Sequence, residues 1–157
     1  MIGLSIIAAL LFVVMLFVVI GKYGVPEMVS SIYYLLGKSG WVFQVVMMSV
    51  GMLMLMCLLD CGKGVQCLAF LACGGLMFVG AAPRFMNEDR GVHKAAAIVS
   101  AAASVGWCLT VNWRIVVALL GWYVVYWACR SEDGHPWLMA EVTAIWMVLL
   151  TFWSTVG

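Results

Sequence analysis

The chain has 157 residues, of which 66% are hydrophobic and only 10% are charged. Globular proteins are about 45–50% apolar and about 25% charged, so the composition excludes an ordinary water-soluble domain. A formal net charge of +1 leaves no basic surface for nucleic acid. The sequence therefore predicts an all-α polytopic membrane protein without a nucleic-acid partner.

Six apolar segments predict six transmembrane helices, because about 20 helical residues cross a hydrocarbon core of about 30 Å. The predicted spans are 2–20, 41–59, 65–82, 93–111, 115–129 and 137–156. The first segment lacks the basic start and the small-residue cleavage site of a signal peptide, so we interpret it as a retained helix. Residues 1–157 are expected to form a single six-helix bundle.

The connections between the spans alternate between two faces. The long-connection face comprises residues 21–40, 83–92 and 130–136, and the short-connection face comprises residues 60–64 and 112–114. The long-connection face, with the adjoining Lys94, carries six Lys or Arg residues against two on the other face. The positive-inside rule places it in the cytoplasm and both ends of the chain outside. A bacterial inner membrane is the default location, since no eukaryotic sorting signal or glycosylation sequon is present.

The first connection has the pattern of an amphipathic helix in the membrane interface. Pro26 suits its first turn and Gly37 its C-terminal stop. One side would carry Met28, Val29, Ile32, Leu35 and Leu36, and the other Glu27, Ser30, Ser31, Tyr34 and Lys38. The segment is either a simple connector or a lid over a pocket at headgroup level.

Small residues dominate the fourth span and predict close helix packing. His93, Ala97, Ser100 and Ser104 follow one another at helical spacing on a single face. The third span offers a complementary smooth surface in Cys73, Gly74, Gly75 and Gly80. We therefore expect the third and fourth spans to pack tightly, and this packing alone would explain the small residues.

Polar side chains that could bind or react gather at the long-connection face. Ionisable groups in or near a membrane interior are costly and indicate a functional site. His93 and Glu141 are the candidate catalytic pair, with His93 as general acid or base and Glu141 as its partner. The candidate ligand-binding residues are Arg84, Arg90, Lys94, Glu27, Ser30, Ser31 and Tyr34. Arg and Lys would pair with a headgroup phosphate.

Each candidate also has a structural alternative. The loop charges are what membrane orientation alone requires. His93 could bond a loop carbonyl, and Glu141 could reach the headgroups or pair with Arg84 or Lys94. Two histidines do not complete a metal site without Glu141 or Glu27, so neither a metal nor another cofactor is predicted. The six cysteines are interpreted as small apolar residues, with a disulfide among Cys57, Cys61 and Cys67 left open.

Two stretches carry a resemblance to a known group of membrane proteins. They are PEMVSSIYY at residues 26–34 and APRFMNEDRGVHKAAA at residues 82–97. Together they resemble six-span proteins of the FRAG/DRAM/Sfk type and related prokaryotic families of unknown function. The resemblance implies a histidine that opens the fourth helix, as His93 does, and a link to membrane-lipid organisation or lipid-anchor remodelling.

Three functions follow as hypotheses. The leading one is a protein that binds or handles lipid headgroups at the long-connection face, with membrane lipids as partners and no assigned chemistry. The second is a non-enzymatic accessory subunit whose small-residue faces dock helices of other membrane proteins. The third is a small transporter or channel, which would need a polar path through the middle of the bundle.

Overall fold

A computed structural model describes residues 1–81, 90–130 and 134–156 of the chain; within this part, the side chains of residues 90, 91 and 93 are not described. Every regular element of the described residues is helical. The helices are α1 (Ile2–Tyr23), α2 (Ile32–Leu35), α3 (Gly40–Asp60), α4 (Gln66–Ala81), α5 (Arg90–Cys129) and α6 (Pro136–Val156). Two short 3-10 turns, Val29–Ser31 and Gly37–Ser39, flank α2.

Four helical segments of the described chain are long and apolar enough to cross a membrane. They are Ile2–Tyr23, Gly37–Asp60, Lys94–Cys129 and Pro136–Val156. Helix α4 has 16 residues and is shorter. The all-α membrane character predicted from composition is thus present, with four helices of spanning length where the sequence predicted six.

The difference in number has two equal sources: α4, the third predicted span, is short, and α5 contains both the fourth and the fifth predicted spans. Its backbone leaves helical geometry at Asn112, with φ −152° and ψ 84°. Helical structure resumes at once after this residue, so the expected polar connection 112–114 is reduced to a break at a single position. Helix α5 thus consists of two helices that meet at Asn112, and these correspond to the fourth and fifth predicted spans.

Hydrogen bonds show that the chain reverses direction at this break. Before it, Ser100 Oγ donates to Ala72 O over 2.7 Å and Trp107 Nε1 donates to Lys63 O over 3.1 Å, so this half runs antiparallel to α4. After the break, the chain runs antiparallel to α6. Asn112 Nδ2 donates to Ser154 Oγ over 3.1 Å, and Tyr123 OH donates to Pro136 O over 3.2 Å. Helix α6 points opposite to α4, because the ends of α3 and α6 both lie beside the start of α1 and α4 runs antiparallel to α3.

The five long helices pack in a ring in the order α1, α3, α4, α5 and α6, and α6 returns to α1. The largest fully buried side chains are Trp107, Phe12, Phe43 and Phe152. Helices α4 and α5 approach closely at Gly75, where a Cβ atom would lie 2.7 Å from Ser100 Cβ. Small residues thus allow the predicted close packing of the third and fourth spans.

The first connection differs from the single amphipathic helix that the sequence predicts. Residues 24–26 are not helical, and the helical part is divided into a 3-10 turn, the four-residue α2 and a second 3-10 turn. Gly37 has φ +54°, which interrupts the helix where the sequence predicts its end. The apolar side is partly as expected: Val29 and Ile32 are buried, whereas Met28 and Leu35 are exposed.

Candidate functional site

The ring of helices encloses a cavity of about 340 Å³. All five long helices and Val29 of the first connection contribute to its lining. Most of the lining is apolar, and its oxygen-bearing side chains among the described residues are Glu141, Ser100 and Ser104. A volume of this size lies within the range of small-molecule sites in proteins, which is about 300–1,000 Å³.

Glu141 forms the polar end of the cavity, at the long-connection face. The first connection crosses this end of α6, and two hydrogen bonds hold it there. Val29 N–H donates to Glu141 Oε2, and Leu138 N–H donates to Glu27 O over 3.1 Å. The carboxyl group thus both lines the cavity and fixes the connection above it.

The cavity extends from this polar end into the apolar interior. On α6, the part of the lining between Glu141 and Leu149 is about 12 Å long at 1.5 Å per residue. Its deep end includes Ala8 and Met54. The space is therefore polar at one end and apolar along its length.

Two exposed side chains mark where the cavity opens. Ile98 of α5 is 68% exposed and Trp137 of α6 is 69% exposed, yet both line the cavity. Both lie near the Glu141 end. Among the described residues the opening thus lies between α5 and α6, on the side of the bundle.

The predicted serine ligands, Ser30 and Ser31, follow Val29, which binds Glu141, but their hydroxyls form contacts within their own turn. Ser31 Oγ donates to Met28 O over 2.7 Å, and Ser30 Oγ contacts Met28 Sδ at 3.9 Å. Tyr34 is exposed and packs edge-to-face against Tyr33 at 5.3 Å between ring centroids. Of the predicted residues in this segment, Glu27 contacts α6 through its backbone carbonyl.

The basic candidates are only partly within the described residues. Lys94 is exposed and forms no ion pair with Glu141. Arg84 lies outside the described residues, as do the side chains of Arg90 and His93, so the predicted His93–Glu141 pair stays a prediction. The backbone places His93 in α5, one turn before the cavity-lining Ala97.

Several parts of the site were not predicted from the sequence. Val29 was assigned only an apolar role, whereas its backbone N–H binds Glu141. Ala140 and Ala144 flank Glu141 and make space for the cavity on α6. Their small size next to a lone carboxyl in an apolar helix was a signal available in the sequence.

The described residues hold no group of three His, Cys, Asp or Glu side chains that could bind a metal ion. All six cysteines are free thiols, so the structure contains no disulfide among Cys57, Cys61 and Cys67.

No protein-family model, curated protein or solved structure matches this chain. The resemblance to six-span proteins of the FRAG/DRAM/Sfk type therefore stays a prediction.

Proposed function

We propose that this protein is a membrane protein that binds lipid at its long-connection face, with hydrocarbon in the cavity and the polar head near Glu141. The observation that carries the proposal is that Glu141, the one carboxyl among the described lining residues, lies at the end of a deep apolar cavity that opens sideways. A lateral opening in a membrane protein admits molecules from the bilayer. The apolar lining does not favour the alternative of ion or solute transport, which requires polar groups along the path.

We further propose that the chain crosses the membrane six times, with the long-connection face in the cytoplasm of a bacterial cell. The reversal at Asn112 supports two crossings within α5. Helix α4 is about 24 Å long at 1.5 Å per residue, which requires locally thinned bilayer. The excess of Lys and Arg at the long-connection face supports the orientation.

Two native cysteines allow a test of this topology. Cys67 at the start of α4 and Cys129 at the end of α5 are both exposed and belong to opposite faces. Variants that keep only one of them are treated with a membrane-impermeant thiol reagent on intact cells and after permeabilisation. We expect Cys67 to react in intact cells and Cys129 only after permeabilisation; the reverse pattern would contradict the orientation.

Lipid binding is tested by mass spectrometry of lipids that co-purify with the protein. We expect one lipid class to be enriched over the bulk membrane. Ala144→Leu fills the cavity and should abolish the enrichment, whereas Ala118→Leu makes the same change on the exposed side of α5 and should preserve it. Bulk lipid composition in the wild-type protein, unchanged by Ala144→Leu, would refute lipid binding in this cavity.

One observation favours the second candidate function, an accessory subunit. The half of α5 after Asn112 is exposed over most of its surface, including Val117, Val124 and Val125 at 57–62%. Such a helix could pack against another membrane protein. A photo-crosslinker at Val125 should then give a discrete protein adduct in native membranes, whereas one at Phe17 of α1 should give only lipid adducts. Lipid adducts at both positions would argue against this function.

A further inference from the structure

We infer that the cavity binds a single-chain amphiphile whose head donates a hydrogen bond to Glu141, such as a long-chain alcohol or amine, in preference to a phosphate-headed lipid. This inference rests on the proposed function and specifies its ligand class. It differs from the phosphate recognition predicted from the sequence, because the ionisable oxygen group in the described lining of the cavity is the carboxyl of Glu141.

The first argument concerns hydrogen bonding at the polar end. An ionised carboxylate accepts hydrogen bonds and donates none. Val29 N–H binds one of its oxygens, and the other has no hydrogen-bond donor among the described residues. A hydroxyl or ammonium head would supply that donor. A phosphate would bring further acceptors and negative charge next to the carboxylate, and buried polar groups without partners are costly.

The second argument concerns charge around the site. The cavity lining contains no Lys, Arg or His among the described residues. Lys94 is exposed and lies outside the lining. The described site therefore lacks the cation that a phosphate would require for a charge-assisted hydrogen bond.

The third argument concerns the number of hydrocarbon chains. At about 30 Å³ for each water-sized group, the cavity of about 340 Å³ holds roughly ten to twelve such groups. A methylene is of comparable size, so this space suits part of one aliphatic chain. The depth of about 12 Å along α6 agrees with a chain inserted end-on. A two-chain lipid would have to leave its second chain outside.

The fourth argument concerns entry. The rim residues Ile98 and Trp137 are exposed on the side of the bundle near Glu141. A single-chain amphiphile in the bilayer has its head at the same level as this opening. It can therefore enter laterally, chain first, and leave its head beside the carboxyl group.

The test uses the full chain in phosphatidylcholine nanodiscs and a long-chain alcohol that carries a diazirine in its chain. We expect photolabelling of α5 and α6 peptides that line the cavity. Four unlabelled competitors of the same chain length are compared: an alcohol, an amine, a fatty acid and a lysophosphatidic acid. The alcohol and the amine should reduce the photolabelling at concentrations at least ten times lower than the other two. The alcohol and amine arms identify which donor head is preferred.

Three variants assign the effect to Glu141 and the cavity. Glu141→Gln keeps an acceptor of similar shape, so the alcohol should still bind while the amine loses about tenfold. Glu141→Leu should weaken both by about tenfold. Ala144→Leu should abolish labelling by every probe, and its control Ala118→Leu should not. The intrinsic fluorescence and thermal unfolding of each variant confirm that it is folded.

The outcomes separate this inference from the proposed function. Equal competition by lysophosphatidic acid in the wild-type protein would overturn the inference while lipid binding stands, and this measurement needs no variant. Unchanged alcohol binding in a folded Glu141→Leu variant would overturn it as well. No labelling of the cavity, together with bulk lipid composition in the purified protein, would refute both.

Discussion

The two faces of the bundle are secured in different ways. At the short-connection face, side-chain donors link separate elements. They run from Trp107 to Lys63, from Trp153 to Ser5, from Cys57 to Met1 and from Asn112 to Ser154. At the long-connection face, the described links run largely through the backbone of the first connection, which binds Glu141 and Leu138. One face is closed by aromatic packing, and the other leaves a cavity beneath a connecting segment.

This contrast separates stability from binding. Trp107 is fully buried and its indole N–H donates to Lys63 O in the loop of residues 61–65. It therefore packs the interior near the short-connection face and holds this loop in place. Glu141 at the other face borders open space. Substitutions at the short-connection face should therefore reduce the free energy of unfolding most, whereas those at the long-connection face should act mainly on the ligand.

The largest effect is expected for Trp107→Ala. Removal of a fully buried Trp side chain costs about 3–5 kcal/mol of unfolding free energy, and the Lys63 carbonyl also loses its donor. The measurement is reversible unfolding in mixed micelles. Trp113→Ala, at a position 59% exposed, is the matched control and should change little. Equal losses in the two variants would contradict the difference in packing.

Next comes Gly64→Ala in the loop before α4. Both Gly62 and Gly64 have positive φ, at +63° and +65°, so alanine costs about 1–2 kcal/mol at either position. A Cβ atom at Gly64 would also lie 2.6 Å from Val111 Cγ2, which adds about 1–3 kcal/mol of overpacking. Gly62 faces open space. In the same unfolding assay Gly64→Ala should thus be the more destabilised; an equal effect would show that the loop relaxes freely.

A smaller effect is expected for Trp153→Phe, which removes the donor of the 2.9 Å bond to the buried Ser5 hydroxyl. Hydrogen bonds between membrane helices contribute about 0.6 kcal/mol on average. Trp137→Phe, at the exposed rim of the cavity, controls for the change of ring and should be neutral for stability. A larger loss in Trp137→Phe would place part of the stability at the long-connection face.

The smallest effect is expected for Tyr123→Phe. Its hydroxyl donates over 3.2 Å to Pro136 O at the long-connection face, where the side chain is half-buried. The carbonyl that loses its donor can be rehydrated, so the loss should be only about 0.3 kcal/mol, below the average membrane value. Tyr126→Phe on the same helix is the control. If Tyr123→Phe lost more unfolding free energy than Trp153→Phe, the long-connection face would contribute more to stability than expected.

The positions of the helices could be predicted from the sequence, whereas the cavity could not. Runs of apolar residues define α1, α3 and α6 to within a few residues, since each run must be long enough to cross the hydrocarbon. The polar residues Asn112 and Arg114 predicted a connection of three residues. The structure needs one, because Asn112 alone adopts the non-helical geometry and its side chain binds α6.

Glu141 was identifiable as a site residue because an ionisable group in an apolar helix is costly. Its binding partner was not, because Val29 N–H is a backbone group whose placement depends on the path of the first connection. Ser30 and Ser31 had the residue type of ligands, but their hydroxyls are directed to Met28 within the same turn. No local pattern distinguishes these two uses of a serine.

The hydrogen bonds that close the ring join residues far apart in the sequence, so they can form only late in synthesis. Val29 and Glu141 are separated by 112 positions, and Ser5 and Trp153 by 148. Helix α1 therefore leaves the ribosome long before either of these partners exists. A nascent chain that ends before α6 has an open groove where the cavity will form, and the binding site arises only when α6 is inserted.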